Sequence, residues 1–207
     1  MKPRSLSPLE RDALREVANI GAGHAATALS EMTGGRIMIN VPEVILIQVE
    51  RLPDVVGSLE TPVAAVRMRV MGDFTGTTVL VSPEASAQAL CRLLLHRDRE
   101  PKGLDFDSME QSTLKETGNI LCSAYLTALS DFLGMMLLPS VPELAVGQAG
   151  TVLSPPVLRA ESAGDPVFCV ETAFRIEGSE RSYTALFLLL PDPAALDVIF
   201  DAIKIAS

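Results

Sequence analysis

The 207-residue chain has no tryptophan, and its two tyrosines and seven phenylalanines make aromatics only 4% of the total. No platform for stacking nucleobases can be built from so few. Basic residues are outnumbered 17 to 26 by acidic ones, giving a net charge of −9, and no Lys/Arg cluster interrupts that balance. Binding a nucleic-acid backbone needs several cations gathered in one place, so nucleic acid is excluded as a partner. Long apolar runs are also missing. Stretches such as Ala185 to Leu190 fall far short of the roughly 20 residues that cross a bilayer, which predicts no membrane insertion. The opening MKPRSLSPLERDALREV lacks the apolar core and small-residue cleavage site of a secretory signal, which predicts a cytoplasmic protein.

Cysteine and histidine are scarce. Cys91, Cys122 and Cys169 form an odd-numbered set without C-x-x-C spacing, and reduced, buried thiols are expected. His24 and His96 stand apart from each other and from any carboxylate cluster, so no bound metal is expected. The chain is 48% hydrophobic and 21% charged, a globular balance at a length that suits one domain covering 1–207.

An internal repeat organises that domain. At an offset of 100, Leu14 to Gln48 aligns without a gap on Leu114 to Gln148, with 13 identities in 35 positions. Chance would give roughly two or three at this composition. The identical pairs include Glu16/Glu116, Asn19/Asn119, Ile20/Ile120, Gly34/Gly134, Pro42/Pro142, Glu43/Glu143 and Gln48/Gln148. Looser agreement continues between VLVSPE at 79–84 and FLLLPD at 187–192. Two repeats follow, about 7–95 and 108–204, joined by a polar linker at about 96–107 that contains Pro101 and Gly103.

Each repeat reads helix, strands, helix. A helix over about Ser7 to Met32 carries apolar Leu9, Ala13, Val17 and Ile20 at helical spacing and stops at Gly34-Gly35. β-branched runs at Ile37 to Val41, Val44 to Val49, Val63 to Met71 and Gly76 to Val81 predict strands. Ser82-Pro83-Glu84 reads as a capped start for a helix over Ala85 to Leu95. In the second repeat a helix capped by Asp107 or Ser108 runs to about Leu133. Strands are predicted near Val167 to Ile176 and Tyr183 to Leu190, then a helix from Asp192-Pro193 to about Ile203. Gly150, Pro155, Pro156 and Gly164 make Gln148 to Asp165 an irregular excursion. The fold class expected is α/β in the α+β sense: a pseudo-twofold domain whose halves share a largely antiparallel sheet, with long helices on one face.

Asp12, Glu16 and Asn19 fall at i, i+4 and i+7 of the first helix, and Ser112, Glu116 and Asn119 repeat the spacing. At 100° per residue each set lies within about 60° and forms one ridge. Polar residues at that spacing ordinarily mark a solvated face, which requires polarity but not identity. Here Arg15/Lys115, Val17/Thr117 and Ala18/Gly118 have diverged while Glu and Asn have not. Asn also competes for helix backbone bonds, so keeping it twice points to a task. An amide can hold a water in line with a phosphorus atom and a carboxylate can pair with a lysine, but such a site needs a partner to bring the phosphoryl group.

The pattern Asp/Ser-x-x-x-Glu-x-x-Asn with a proline 23 residues on, present as Asp12, Glu16, Asn19, Pro42 and as Ser112, Glu116, Asn119, Pro142, resembles the signature of the CheC, CheX and FliY chemotaxis phosphatases. Two copies, with NIGAGHAATALS and GNILCSAYLTALSDFLG alongside, look like the CheC type. The resemblance implies a hydrolase acting on the aspartyl phosphate of CheY. In it Glu16 and Glu116 pair with the regulator's lysine, and Asn19 and Asn119 enter its acidic pocket to position the attacking water. Asp12 and Ser112 would support the ridges. The chain would need no cofactor of its own, with Mg²⁺ belonging to the regulator. The resemblance also implies a second partner, the receptor deamidase CheD, docking near the middle of the second repeat, where Gly147, Gly150, Pro155 and Pro156 depart from the expected helix. A non-catalytic adaptor for CheY-type regulators or CheD is the competing reading.

The other small motifs have plainer readings. Gly21-Ala22-Gly23 lacks the preceding strand of a phosphate loop and is expected to serve helix packing. His24, about 140° around the helix from Asn19, is expected to be structural. Met68, Met71, Met135 and Met136 are assigned to core or interface.

Overall fold

The protein is described here by a computed structural model covering residues 6–41, 43–97, 103–158, 166–176 and 182–206. Two 26-residue helices, α1 (Pro8–Thr33) and α4 (Ser108–Leu133), hold equivalent places in the repeat. Both begin on reciprocal caps: the Ser7 hydroxyl accepts from the Glu10 amide while the Glu10 carboxylate accepts from that of Ser7, and Asp107 and Glu110 do the same. These bonds satisfy amides that the first turn leaves without helical partners. Both helices stop at a left-handed glycine, Gly34 and Gly134, each with φ 65°.

After α1 come β1 (Ile37–Asn40), β2 (Val44–Gln48), a 3-10 turn (Val49–Arg51) and α2 (Leu52–Val56). The hairpin β3 (Pro62–Gly72) and β4 (Gly76–Pro83) then leads to α3 (Glu84–Leu95). After α4 the order recurs as β5 (Leu137–Pro139), β6 (Glu143–Gln148), α5 (Ala149–Val152), α6 (Pro155–Leu158), β7 (Pro166–Ile176), β8 (Ser182–Pro191) and α7 (Pro193–Ala206). The segment expected to be irregular contains two four-residue helical turns. Ser82 is not the cap of α3: it is a buried strand residue opposite Ala64, because β4 keeps its ladder with β3 through Pro83. Pro83 itself holds the cap position, without a side-chain bond. Pro42, the centre of the linker at 98–102, and 159–165 lie outside the described residues.

All strand pairs are antiparallel, in the order β1-β7-β8-β4-β3-β5. β2 continues along β7 where β1 leaves off, and β6 continues along β3 after β5. Each half therefore lends its edge strand to the other half's hairpin. β4 and β8 meet in the middle, with Val79 opposite Leu188. Pro142 sits at the interruption between β5 and β6, where its missing N–H breaks no ladder.

The long helices pack on one face of the sheet. Leu29, Leu121 and Leu126 of α1 and α4 bury fully against Met68, Leu80, Phe174 and Phe187; burying each such side chain contributes roughly 1.5–3 kcal/mol. The other face carries a second core of Val63, Val79, Val81, Cys169 and Leu188 under the short helices, which the sequence pattern did not foretell. Since α1 and α4 share one face and the central strands are antiparallel, the axis exchanging the halves is perpendicular to the sheet. α1 and α4 thus run in opposite directions, crossing where Gly21 meets Tyr125.

Candidate functional site

On α1 the buried stripe is Leu14, Val17, Ala18, Gly21, Ala22, Ala25 and Leu29. The expected stripe was partly wrong: Leu9 is 58% and Ile20 46% exposed. Helix-on-helix packing prefers small residues at the crossing, so the Ala/Gly positions go inward and two large apolar residues remain outside.

Asp12, Glu16 and Asn19 all lie on the exposed face of α1. On α4, Ser112 and Glu116 are exposed and Asn119 is half-buried. Asn19 precedes Gly21 by two residues and Asn119 precedes Tyr125 by six, so on antiparallel helices they stand roughly 12 Å apart along the axes. The structure thus displays two separate carboxylate-amide ridges on the outer surface of one helical layer. Among the described residues no hydrogen bond or ion pair occupies Glu16, Asn19, Glu116 or Asn119. The Ser112 hydroxyl donates to the Ser108 carbonyl at 2.9 Å, a bond within its own helix.

The ridges differ in depth for a packing reason. A Cβ on Gly118 would lie 2.5 Å from Val66 Cγ1, so α4 rests directly on β3. Ala18 instead lines, with Val170 beneath it, an apolar cavity of about 40 Å³. The α1 ridge stands proud and the α4 ridge sits lower. His24 corrects the expectation of a structural role: it is exposed, whereas its counterpart Ala124 packs on the core. Leu9, placed on the buried stripe from the sequence, and Met109, not singled out there, are equivalent apolar residues that are 58% and 51% exposed seven positions before each Glu. The offset of 100 was the signal that could have found them.

The chemistry available within the chain is limited. Burial, the largest cause in each case, pushes Cys91, Cys122 and Cys169 up to about 12, so none is a ready thiolate near neutral pH. Among the described residues no three His, Cys, Asp or Glu side chains gather to hold a metal ion, and no helix is long and apolar enough to cross a membrane. The cavity beneath α1 is far below the several hundred Å³ of a small-molecule site. The ridges can orient a water and pair with a cation, and both functions act on something brought from outside.

The chain is similar to several known proteins. A family model described as CheC-like matches residues 9–46 and 109–145, the two segments that carry the ridges. The CheY-P phosphatase CheC of Bacillus subtilis (strain 168) is 34% identical over 195 residues, covering 94% of this chain and 93% of that protein. The crystal structure of Thermotoga maritima FliY is similar in fold, with TM-score 0.79 at 22% identity over 98% of this chain and 99% of the other. A CheX-CheY-BeF3-Mg+2 complex from Borrelia burgdorferi matches with TM-score 0.51 at 15% identity over 86% and 96% of the respective chains.

Proposed function

The chain belongs to the CheC-like family, and we propose that it hydrolyses the aspartyl phosphate of the response regulator CheY in the cytoplasm, using Glu16/Asn19 and Glu116/Asn119 as two active sites. The observation that carries the reading is the pair of ridges, outward-facing and without partners among the described residues.

Glu16 or Glu116 pairs with the regulator's active-site lysine and sets the register of docking. Asn19 or Asn119 then reaches the phosphoryl group, its amide accepting from and donating to the water held in line with phosphorus. Water oxygen bonds to phosphorus, the bond from phosphorus to the aspartyl oxygen breaks, and inorganic phosphate and the free carboxylate result. Positioning is the enzyme's contribution, which suits a transition state with little covalent demand on the protein. Mg²⁺, held by the regulator, offsets charge on the phosphoryl oxygens. Exposed Leu9, Ile20 and Met109 beside the ridges supply apolar contact to the docked regulator. Each site is half complete by itself, so small phosphate esters are poor substrates.

The test is phosphate release from phosphorylated CheY with wild-type protein and the Asn19→Ala/Asn119→Ala variant, whose fold is checked by circular dichroism. The double variant should leave only the regulator's own rate of dephosphorylation. Equal rates for the two proteins would reject the phosphatase in favour of the adaptor, which has no need of either amide.

A further inference from the structure

The repeat also holds a glutamate pair that the ridges do not use. Glu143 on β6 stands opposite Arg67 on β3, which stands opposite Val79 on β4. Arg67 donates to the Glu143 carboxylate and to the Val157 carbonyl, filling its surroundings so that only about 80 Å³ stays open. The equivalent row in the other half is Glu43 on β2, Glu171 on β7 and Leu186 on β8; the Glu171 amide donates to the Glu43 carbonyl at 3.0 Å. Where one half has an arginine facing its glutamate, the other has a second glutamate. Like charges directly opposite on neighbouring strands repel. Among the described residues no cation or donor reaches either carboxylate.

The place that the guanidinium occupies in one half is open in the other. A groove of about 220 Å³ lies over Glu43 and Glu171, walled by Ile45, Val56 and Leu186. Cys169 lines it, 1% exposed and with no hydrogen-bond partner among the described residues. This volume is too small for a drug-sized metabolite and suits one long side chain. The apolar walls match a methylene stem and the two carboxylates match a planar fork of donors. A metal ion fits poorly, because the two carboxylates and the thiol do not converge on one point. The net charge of −9 favours a basic partner at a distance.

We propose that this groove receives the arginine side chain of a protein partner, its guanidinium bridging Glu43 and Glu171 as Arg67 engages Glu143 in the other half. The groove opens on the face of the sheet opposite α1 and α4, so a partner seated there leaves both ridges accessible.

The probe is N-acetyl-arginine amide, titrated into the full chain and followed by calorimetry and by NMR shifts at Ile45 and Leu186. Saturable binding is expected, weakened about tenfold for the lysine analogue and about tenfold in Glu171→Gln. It should vanish in Glu171→Arg, which restores the pairing of the other half and should fold with an unchanged or higher melting temperature. No saturation, equal affinity for the lysine analogue, or binding that survives Glu171→Arg would each overturn the proposal. The readout is binding to the protein alone, so its result is independent of the phosphatase reading.

Discussion

Replacing Gly118 by alanine tests how α4 is seated on the sheet. The added Cβ would stand 2.5 Å from Val66 Cγ1, 2.6 Å from its Cβ and 3.0 Å from its Cγ2. Val66 is 3% exposed and held on both sides, opposite Leu80 of β4 and Leu144 of β6, so the strand has nowhere to retreat. Its χ1 is stiff as well. The helix must lift, and overpacking of this severity costs about 3 kcal/mol. Alanine's better helix propensity returns about 1 kcal/mol. The net loss of about 2 kcal/mol corresponds to a fall of roughly 4–8 °C in melting temperature for a chain of this size. Urea unfolding of the single variants and of Gly118→Ala/Val66→Ala makes the comparison complete. Val66→Ala removes two of the three clashing atoms, so the double variant should be more stable than the sum of the singles by about 1 kcal/mol. A neutral Gly118→Ala, or strict additivity, would refute the close seating that explains why Asn119 lies deeper than Asn19.

Two further outcomes follow from buried polar groups. Cys122 ionises near 9.0 when unfolded and near 12 in place, chiefly because of burial. The unfolded chain therefore holds fewer protons at this thiol between those values, and the contribution of Cys122 to stability falls as pH rises through that window by about 1.4 kcal/mol per unit, with no effect below it, alongside the like contributions of Cys91 and Cys169. Urea unfolding across the window should give a shallower fall for Cys122→Ala than for wild type; parallel curves would contradict the assignment. The Tyr125 hydroxyl shares a 3.0 Å hydrogen bond with Thr172, both buried, so Tyr125→Phe should lose about 1 kcal/mol of unfolding free energy by leaving Thr172 poorly paired. An unchanged urea midpoint would mean that this bond carries no net stability.

The two ridges were legible because a gapless repeat with identical Glu and Asn survives divergence around them. Helix ends were legible because Ser7, Asp107, Gly34 and Gly134 act through local bonds and a backbone angle that the residues themselves impose. The inward face of α1 was not, since Leu9 and Ile20 look like core by hydrophobicity while Ala18, Gly21, Ala22 and Ala25 are core because another helix passes over them. The partner decides that, and it lies some 100 residues away. Ser82 misled for a similar reason: its cap-like setting is local, and its strand ladder with Ala64 is not. The glutamates at 43 and 143 were visible as an identical pair, but their contrasting neighbours Glu171 and Arg67 meet them only through the sheet.

The exchange of edge strands has a consequence for synthesis. Ile37 pairs with Ile176, roughly 140 residues later in the chain, so at ribosomal speeds β1 waits on the order of 7–28 s for its partner to emerge. During that time the first half exposes the apolar side chains of β1 and β2 together with the edge of β3, which its mature neighbour β5 has yet to cover. Neither half can close its sheet without the other. A nascent chain stalled at the linker should therefore be held by chaperones or aggregate, and two separately made halves should become structured only when mixed.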